Sequence, residues 1–205
     1  NGGVPQDRAV LIAGAPGTGK TTLGMQFLQA GLEAGERCLF ISTEQTRDEL
    51  EESFAGYSFD LEHEELAITS LHASPDQETN SRQRLRLRTL EGGSIVDEQF
   101  VSFTFSNLTE YLQRGASADR IVFDSVSALE ILTDEEGLFR RYLLELFQML
   151  TGEMEATTIL TAEADRDGYA EDILEFSTHG VLRLTREDVN DDPHRFLQVA
   201  KMRGV

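Results

Sequence analysis

Short apolar runs rich in β-branched residues alternate with longer amphipathic stretches along most of this chain, the pattern of a parallel sheet with crossover helices. Ala9 to Ala13 reads as a first strand, and Thr21 to Ala30 as the helix after it, closed by Gly31. Cys38 to Thr43 reads as a second strand, followed by a helix from Arg47 to Phe54. Leu66 to Leu71 gives a third strand, Ser106 caps a helix reaching about Arg114, and Ile121 to Phe123 is a buried strand. Leu138 to Leu150 repeats apolar residues at helical spacing, and Thr157 to Thr161 is another core strand. The end of the chain differs. Val181 to Leu184 and Phe196 to Met202 flank a polar turn, Glu187 to Pro193, and predict an antiparallel hairpin.

Pro75 to Phe105 breaks the rhythm and reads as a variable segment within a single domain spanning residues 1–205. Arg82, Arg84, Arg86 and Arg88 alternate with Gln83, Leu85 and Leu87 before Gly92-Gly93, which predicts a strand with one basic face ahead of a turn. That face is either a docking surface for nucleic acid or an acidic partner, or a solvated face offset by nearby carboxylates.

Composition narrows the class. A chain of 205 residues supports one α/β domain with a full core, and its apolar content of 40% is that of a globular protein. No apolar run approaches the length needed to cross a bilayer, so the expected setting is cytoplasmic. The opening residue Asn1 leaves room for a trimmed leader. One cysteine, Cys38, excludes an internal disulfide, and Leu39 and Phe40 beside it predict a small buried side chain.

Charge is the most unusual feature: 37 acidic residues face 18 basic ones, a net charge of −19. Only Lys20 and Lys201 are lysines. An acid-rich, lysine-poor surface resembles the proteins of extreme halophiles, where molar salt cuts the Debye length to about 3 Å. Net charge therefore does not decide whether the chain touches DNA.

Chemistry enters at Gly14-Ala15-Pro16-Gly17-Thr18-Gly19-Lys20-Thr21, a full G-x-x-x-x-G-K-[ST] match lying after a strand and opening a helix. The glycines let successive N–H groups turn inward around phosphates, and the helix N-terminus adds its positive dipole end. Lys20 is positioned for the β- and γ-phosphates and the Thr21 hydroxyl for Mg²⁺, with Thr22 next on the helix. A second carboxylate is needed at the tip of a neighbouring strand. Ile121-Val122-Phe123-Asp124 supplies it, with Ser125 following. The candidate base is Glu44, at the end of the second strand, where a carboxylate points into the same crevice. GTPases read guanine through N/T-K-x-D, and neither lysine sits in that motif.

Together with Asp124-Ser125-Val126-Ser127 and the terminal Lys201-Met202-Arg203-Gly204, these motifs resemble the KaiC-like branch of the RecA superfamily. The resemblance covers nearly the whole chain except Pro75 to Phe105. It implies a RecA-type P-loop core with a mostly parallel sheet flanked by helices, ATP and Mg²⁺ as ligands, and hexameric rings with nucleotide at subunit interfaces. It also places Lys201 and Arg203 at the subunit boundary, where both would act on a neighbour's ATP. Autophosphorylating KaiC carries a Ser-Thr pair in a place broadly similar to Ser177-Thr178, whose ordinary reading is a turn before a strand. Two departures stand out. The family often has paired glutamates where this chain has Glu44-Gln45, and the chain stops at Val205, leaving room for a further domain.

Three functional classes follow. The first is an ATP-hydrolysing regulatory oligomer, with a protein partner in signalling as a further expectation. The second is a nucleotide-gated interaction module with negligible hydrolysis. The third is a recombinase-type DNA-binding ATPase using Arg82 to Arg88.

Overall fold

A computed structural model describes residues 3–74, 84–91, 94–102, 108–110, 112, 118–132, 136–164, 169–189 and 192–204. Its centre is a sheet of order β5-β4-β3-β2-β6-β7-β1-β8-β9. The strands are β1 (Ala9–Gly14), β2 (Cys38–Ser42), β3 (Leu66–Ser74), β4 (Arg84–Glu91), β5 (Ser94–Ser102), β6 (Arg120–Asp124), β7 (Thr157–Glu163), β8 (Gly180–Val189) and β9 (Asp192–Met202). From β3 to β8 every neighbouring pair is parallel; β4 and β5 at one edge and β9 at the other are antiparallel. The sheet is thus the mostly parallel, helix-flanked one that the alternation predicts, ending in the expected antiparallel strand pair.

Burial on both faces explains why the central strands are continuous apolar runs. Val10 to Ala13 and Ile121 to Phe123 are all under one per cent exposed. Alternate residues feed two cores. Ile12, Phe40, Val122 and Ile159 pack with Met25 and Leu28 of helix α1 (Lys20–Glu33) and Leu50 of α2 (Arg47–Phe54). Leu11, Ile41 and Phe123 pack with Phe139 and Leu143 of α3 (Glu136–Gln148) and Leu174 of α4 (Tyr169–Ser177). Helix α1 lies unusually close to the sheet, because a Cβ on Gly24 would stand 2.9 Å from Val122 Cγ1. An alanine there would overpack the contact at a cost of about 1–3 kcal/mol.

Three local expectations shift. Gly31 does not close α1, which runs on to Glu33; a Cβ there would meet Arg120 Cδ at 2.7 Å and Cys38 Sγ at 2.9 Å, so the glycine serves close packing. Helix α3 starts at Glu136 and passes into a π-helical turn, Met149–Glu153, instead of ending as a plain helix at Leu150. The hairpin turn is shorter than Glu187 to Pro193, since β8 reaches Val189 and β9 begins at Asp192. Pro193 is tolerated there because β9 is an edge strand. As expected, β9 ends at Met202, and Arg203 lies just beyond it.

Cys38 is buried as expected, and burial pushes its thiol up to about 12. Arg84, Arg86 and Arg88 stand in β4 in register with Ser74, His72 and Ser70 of β3. Arg82, Gly92, Gly93 and the Ser106 cap lie outside the described residues. Among the described residues no helix is long and apolar enough to cross a membrane.

Candidate functional site

Gly14 to Thr21 forms a tight loop between β1 and α1. Gly17 (φ 76°) and Gly19 (φ 102°) take left-handed backbone conformations that side chains disfavour. Thr18 closes the turn, its N–H and hydroxyl both donating to the Ala15 carbonyl at 3.3 and 2.8 Å. The Lys20 ammonium donates to the carbonyls of Gly14 at 2.8 Å and Ala15 at 3.2 Å, which holds it at the mouth of the loop. Beside the loop opens a cleft of about 460 Å³, lined by Gly17 to Thr22 and, across from them, by Gln45, Tyr57, Arg195 and Phe196.

The sheet brings the predicted carboxylates to this loop. Ser42 pairs with Asp124 at the carboxyl ends of β2 and β6. Asp124 accepts a hydrogen bond from the Thr21 hydroxyl at 2.8 Å on one oxygen and from the Thr161 hydroxyl on the other. Burial holds its carboxyl above the usual carboxylate range, partly offset by those two hydroxyls, with Glu44 pushing further up and Lys20 down. Asp124 therefore takes up a proton at a higher pH than a solvated aspartate. Glu44 is exposed at the tip of β2, and the Ser125 hydroxyl donates to its Oε1 at 2.6 Å. Ser125 is fixed in turn: its N–H donates to Thr43 Oγ1 at 2.8 Å, and that hydroxyl donates to the Ser125 carbonyl at 3.0 Å. The Asp124–Ser125 peptide bond is cis.

Behind Glu44, the backbone N–H of Gln45 donates to Ser42 Oγ at 3.0 Å, and α2 starts on a capping box between Thr46 and Glu49. The Glu44 loop is thus anchored at both ends. A hydroxyl beside a buried carboxylate suits Mg²⁺, which takes oxygen ligands and keeps waters and substrate phosphates.

Lys201 and Arg203 are elsewhere, at the amino edge of the sheet. Lys201 Nζ donates to the carbonyls of Glu175, Phe176 and Thr178 at 2.6, 3.3 and 2.6 Å, closing the end of α4. The exposed Arg203 follows β9, its N–H donating to the His179 carbonyl at 2.8 Å. Thr178 is fully buried and its hydroxyl donates to the Leu174 carbonyl at 2.8 Å, so Ser177-Thr178 ends a helix and is not a simple turn. Sequence reasoning missed Thr161 and the grip of Thr43 on Ser125. The threonines of Thr157-Thr158-Ile159-Leu160-Thr161, polar in an otherwise apolar strand, were the available signal for the first.

Residues 1–205 match the family described as "ATPase: KaiC". A UPF0273 protein of Methanopyrus kandleri is 30% identical over 211 residues, covering 100% of this chain and 79% of that protein. The circadian clock oscillator protein KaiC of Parathermosynechococcus lividus is 28% identical over 212 residues, which is 36% of its length. Among solved structures, a KaiC-like protein of Pyrococcus horikoshii superposes with a TM-score of 0.74 at 28% identity, covering 99% of this chain and 82% of that one.

Proposed function

The chain belongs to the KaiC ATPase family, with its nucleotide-binding RecA-type fold, and on that premise we propose that it hydrolyses ATP within a homo-oligomer that carries nucleotide between subunits. The observation that carries this reading is the hydrogen-bonded set at the strand tips, Thr21 to Asp124 and Ser125 to Glu44, which converges on the loop from three separate elements.

Gly14 to Thr22 would cradle the phosphates, and Lys20 would exchange its carbonyl partners for phosphate oxygens. Thr21 and Asp124 would hold Mg²⁺, which when bound screens the charge of the β- and γ-phosphates. Glu44 accepts the proton of a water whose oxygen bonds the γ-phosphorus. The bond to the β–γ bridging oxygen breaks and ADP leaves. Ser125 orients Glu44 for that step. Arg203 lies too far along the fold to serve its own loop, and is assigned to the γ-phosphate of a neighbour. The assembly is a ring, hexameric by resemblance, with a regulatory role in the cytoplasm.

A second reading has one observation in its favour. Glu44 already receives the Ser125 hydroxyl, and Gln45 stands where a second glutamate could share its work. In that case ATP sets the assembly state and hydrolysis is negligible.

Mass by light scattering in molar KCl, with and without ATP and Mg²⁺, alongside phosphate release, tests both. The proposal expects nucleotide-dependent assembly and steady phosphate release. Assembly without phosphate selects the second reading, and a monomer under every condition overturns the interface.

A further inference from the structure

Three threonines interrupt the apolar run of β7, and they spend their hydroxyls differently. Thr157 Oγ1 accepts the Asp7 N–H at 3.0 Å, and the Thr158 hydroxyl donates to the Ala156 carbonyl at 3.3 Å, both backbone groups. The Thr161 hydroxyl goes instead to the Asp124 carboxylate. Parallel pairing explains the meeting. Phe123 of β6 stands opposite Leu160 of β7, so Asp124 and Thr161 follow one step further toward the same carboxyl ends. Val122 and Ile159 pack in the core covered by α1, and strand alternation returns Asp124 and Thr161 to that face.

This contact divides the carboxylate. Thr21 donates to Asp124 Oδ2 at 2.8 Å, and Thr161 donates to Oδ1. Thr21 lines the cleft beside the phosphate loop, whereas Thr161 is fully buried and Asp124 itself is only 8% exposed. Oδ1 is therefore committed inside the protein, and Oδ2 is the oxygen on the side of the cleft. A carboxylate held in this way offers one oxygen, not two. That distinction separates cations. Mg²⁺ takes about six oxygens at about 2.0–2.1 Å, whereas Ca²⁺ takes about 6–8 at about 2.3–2.6 Å and commonly engages a carboxylate through both of its oxygens.

We propose that Thr161 is a positioning residue that sets the cation preference of the nucleotide site, holding Asp124 to a single cleft-facing oxygen and so favouring Mg²⁺ over Ca²⁺. It touches neither the cation nor the nucleotide and acts through Asp124 alone. The inference rests on the metal site of Thr21 and Asp124 proposed above.

The test reads binding and needs no turnover. ADP affinity is measured by calorimetry in EDTA, in saturating MgCl₂ and in saturating CaCl₂, all at one KCl concentration. The readout is the tightening that each cation brings over EDTA. In wild-type protein Mg²⁺ should tighten ADP more than Ca²⁺ does. In Thr161→Val the Mg²⁺ tightening should fall about tenfold, the low end of the range for loss of a group that orients a metal ligand. The Ca²⁺ tightening should hold or grow, and affinity in EDTA should stay the same. Thr161→Ser keeps the hydroxyl and should keep the wild-type preference. Thr161→Cys, which keeps the size but not the strong donor, should repeat the valine result and stands in for it if that variant does not fold. An unchanged Mg²⁺-to-Ca²⁺ ratio in the valine and cysteine variants, an equal loss for both cations, or a serine variant that behaves like valine overturns the role of Thr161. The metal site is read separately through Asp124→Asn, which should lose the response to both cations. If that variant responds like wild type, or wild type responds to neither cation, the metal site fails and the proposal with it. If Asp124→Asn loses the response while the valine variant keeps the ratio, Thr161 alone is struck out.

Discussion

At the carboxyl ends of β2 and β6, two carboxylates sit among hydroxyl donors from four different elements. At the amino ends of β1 and β8, Arg8 and Arg203 act on the His179 ring, whose buried Nδ1 has no hydrogen-bond partner among the described residues. The first group is closed within the chain: Asp124 is answered by Thr21 and Thr161, Glu44 by Ser125, and Ser125 by Thr43. The second is open, because His179 Nδ1 has no partner among the described residues, while Lys201 nearby is taken up by backbone carbonyls. The contrast is between a group whose polar atoms are answered within the chain and one that keeps a buried N–H unanswered among the described residues.

The sharpest way to break this contrast is to disable each end separately. Lys20→Ala should abolish ATP binding by calorimetry with the fold intact by circular dichroism. Arg203→Ala should keep ATP affinity and lose about 10³ in phosphate release, within the range for a charge supplied to a neighbour's phosphate. Mixing the two inactive proteins should restore activity, since some interfaces then join an intact loop to an intact arginine. Full activity of Arg203→Ala alone would leave the amino edge with no part in turnover.

A smaller effect is expected inside the closed group. Glu44→Gln should bind ATP normally and lose at least tenfold in steady-state turnover, general-base losses being about 10²–10⁴. Unchanged turnover would make the Ser125 contact a structural clasp. The smallest effect belongs to Lys201→Met. It removes a cation from a helix C-terminus, and should cost about 1–2 kcal/mol in denaturant unfolding and speed hydrogen exchange in α4. A turnover loss as large as that of Arg203→Ala would return Lys201 to the same job.

Legibility in the sequence followed the range of the interactions. The phosphate loop is written in consecutive residues because its geometry is local, and Asp124 was found because a strand buried on both faces leaves its first polar residue at the tip. Glu44 was placed by the same logic. Thr161 was not, since a threonine within a strand looks like any β-branched residue until a neighbouring strand brings Asp124 to it. Gly31 misled because glycine marks helix ends and close packing alike, and only the approach of Arg120 distinguishes the two. The Arg8, His179 and Arg203 group was invisible for a further reason. Its members lie at opposite ends of the chain and meet only through the parallel crossover that sets β8 beside β1.

The contact of Gly24 with Val122 has a mechanical meaning. The helix that carries Thr21 in its first turn and the strand that ends with Asp124 touch there with no side chain of the helix between them, so they form a single lever whose tips hold Thr21 and Asp124. Neither tip can retreat from the other without opening that joint. Glu44 faces that lever from the Thr43 to Thr46 loop, which the Ser42 contact and the capping box of α2 hold at both ends. Any displacement inside the cleft therefore moves helix and strand as one piece.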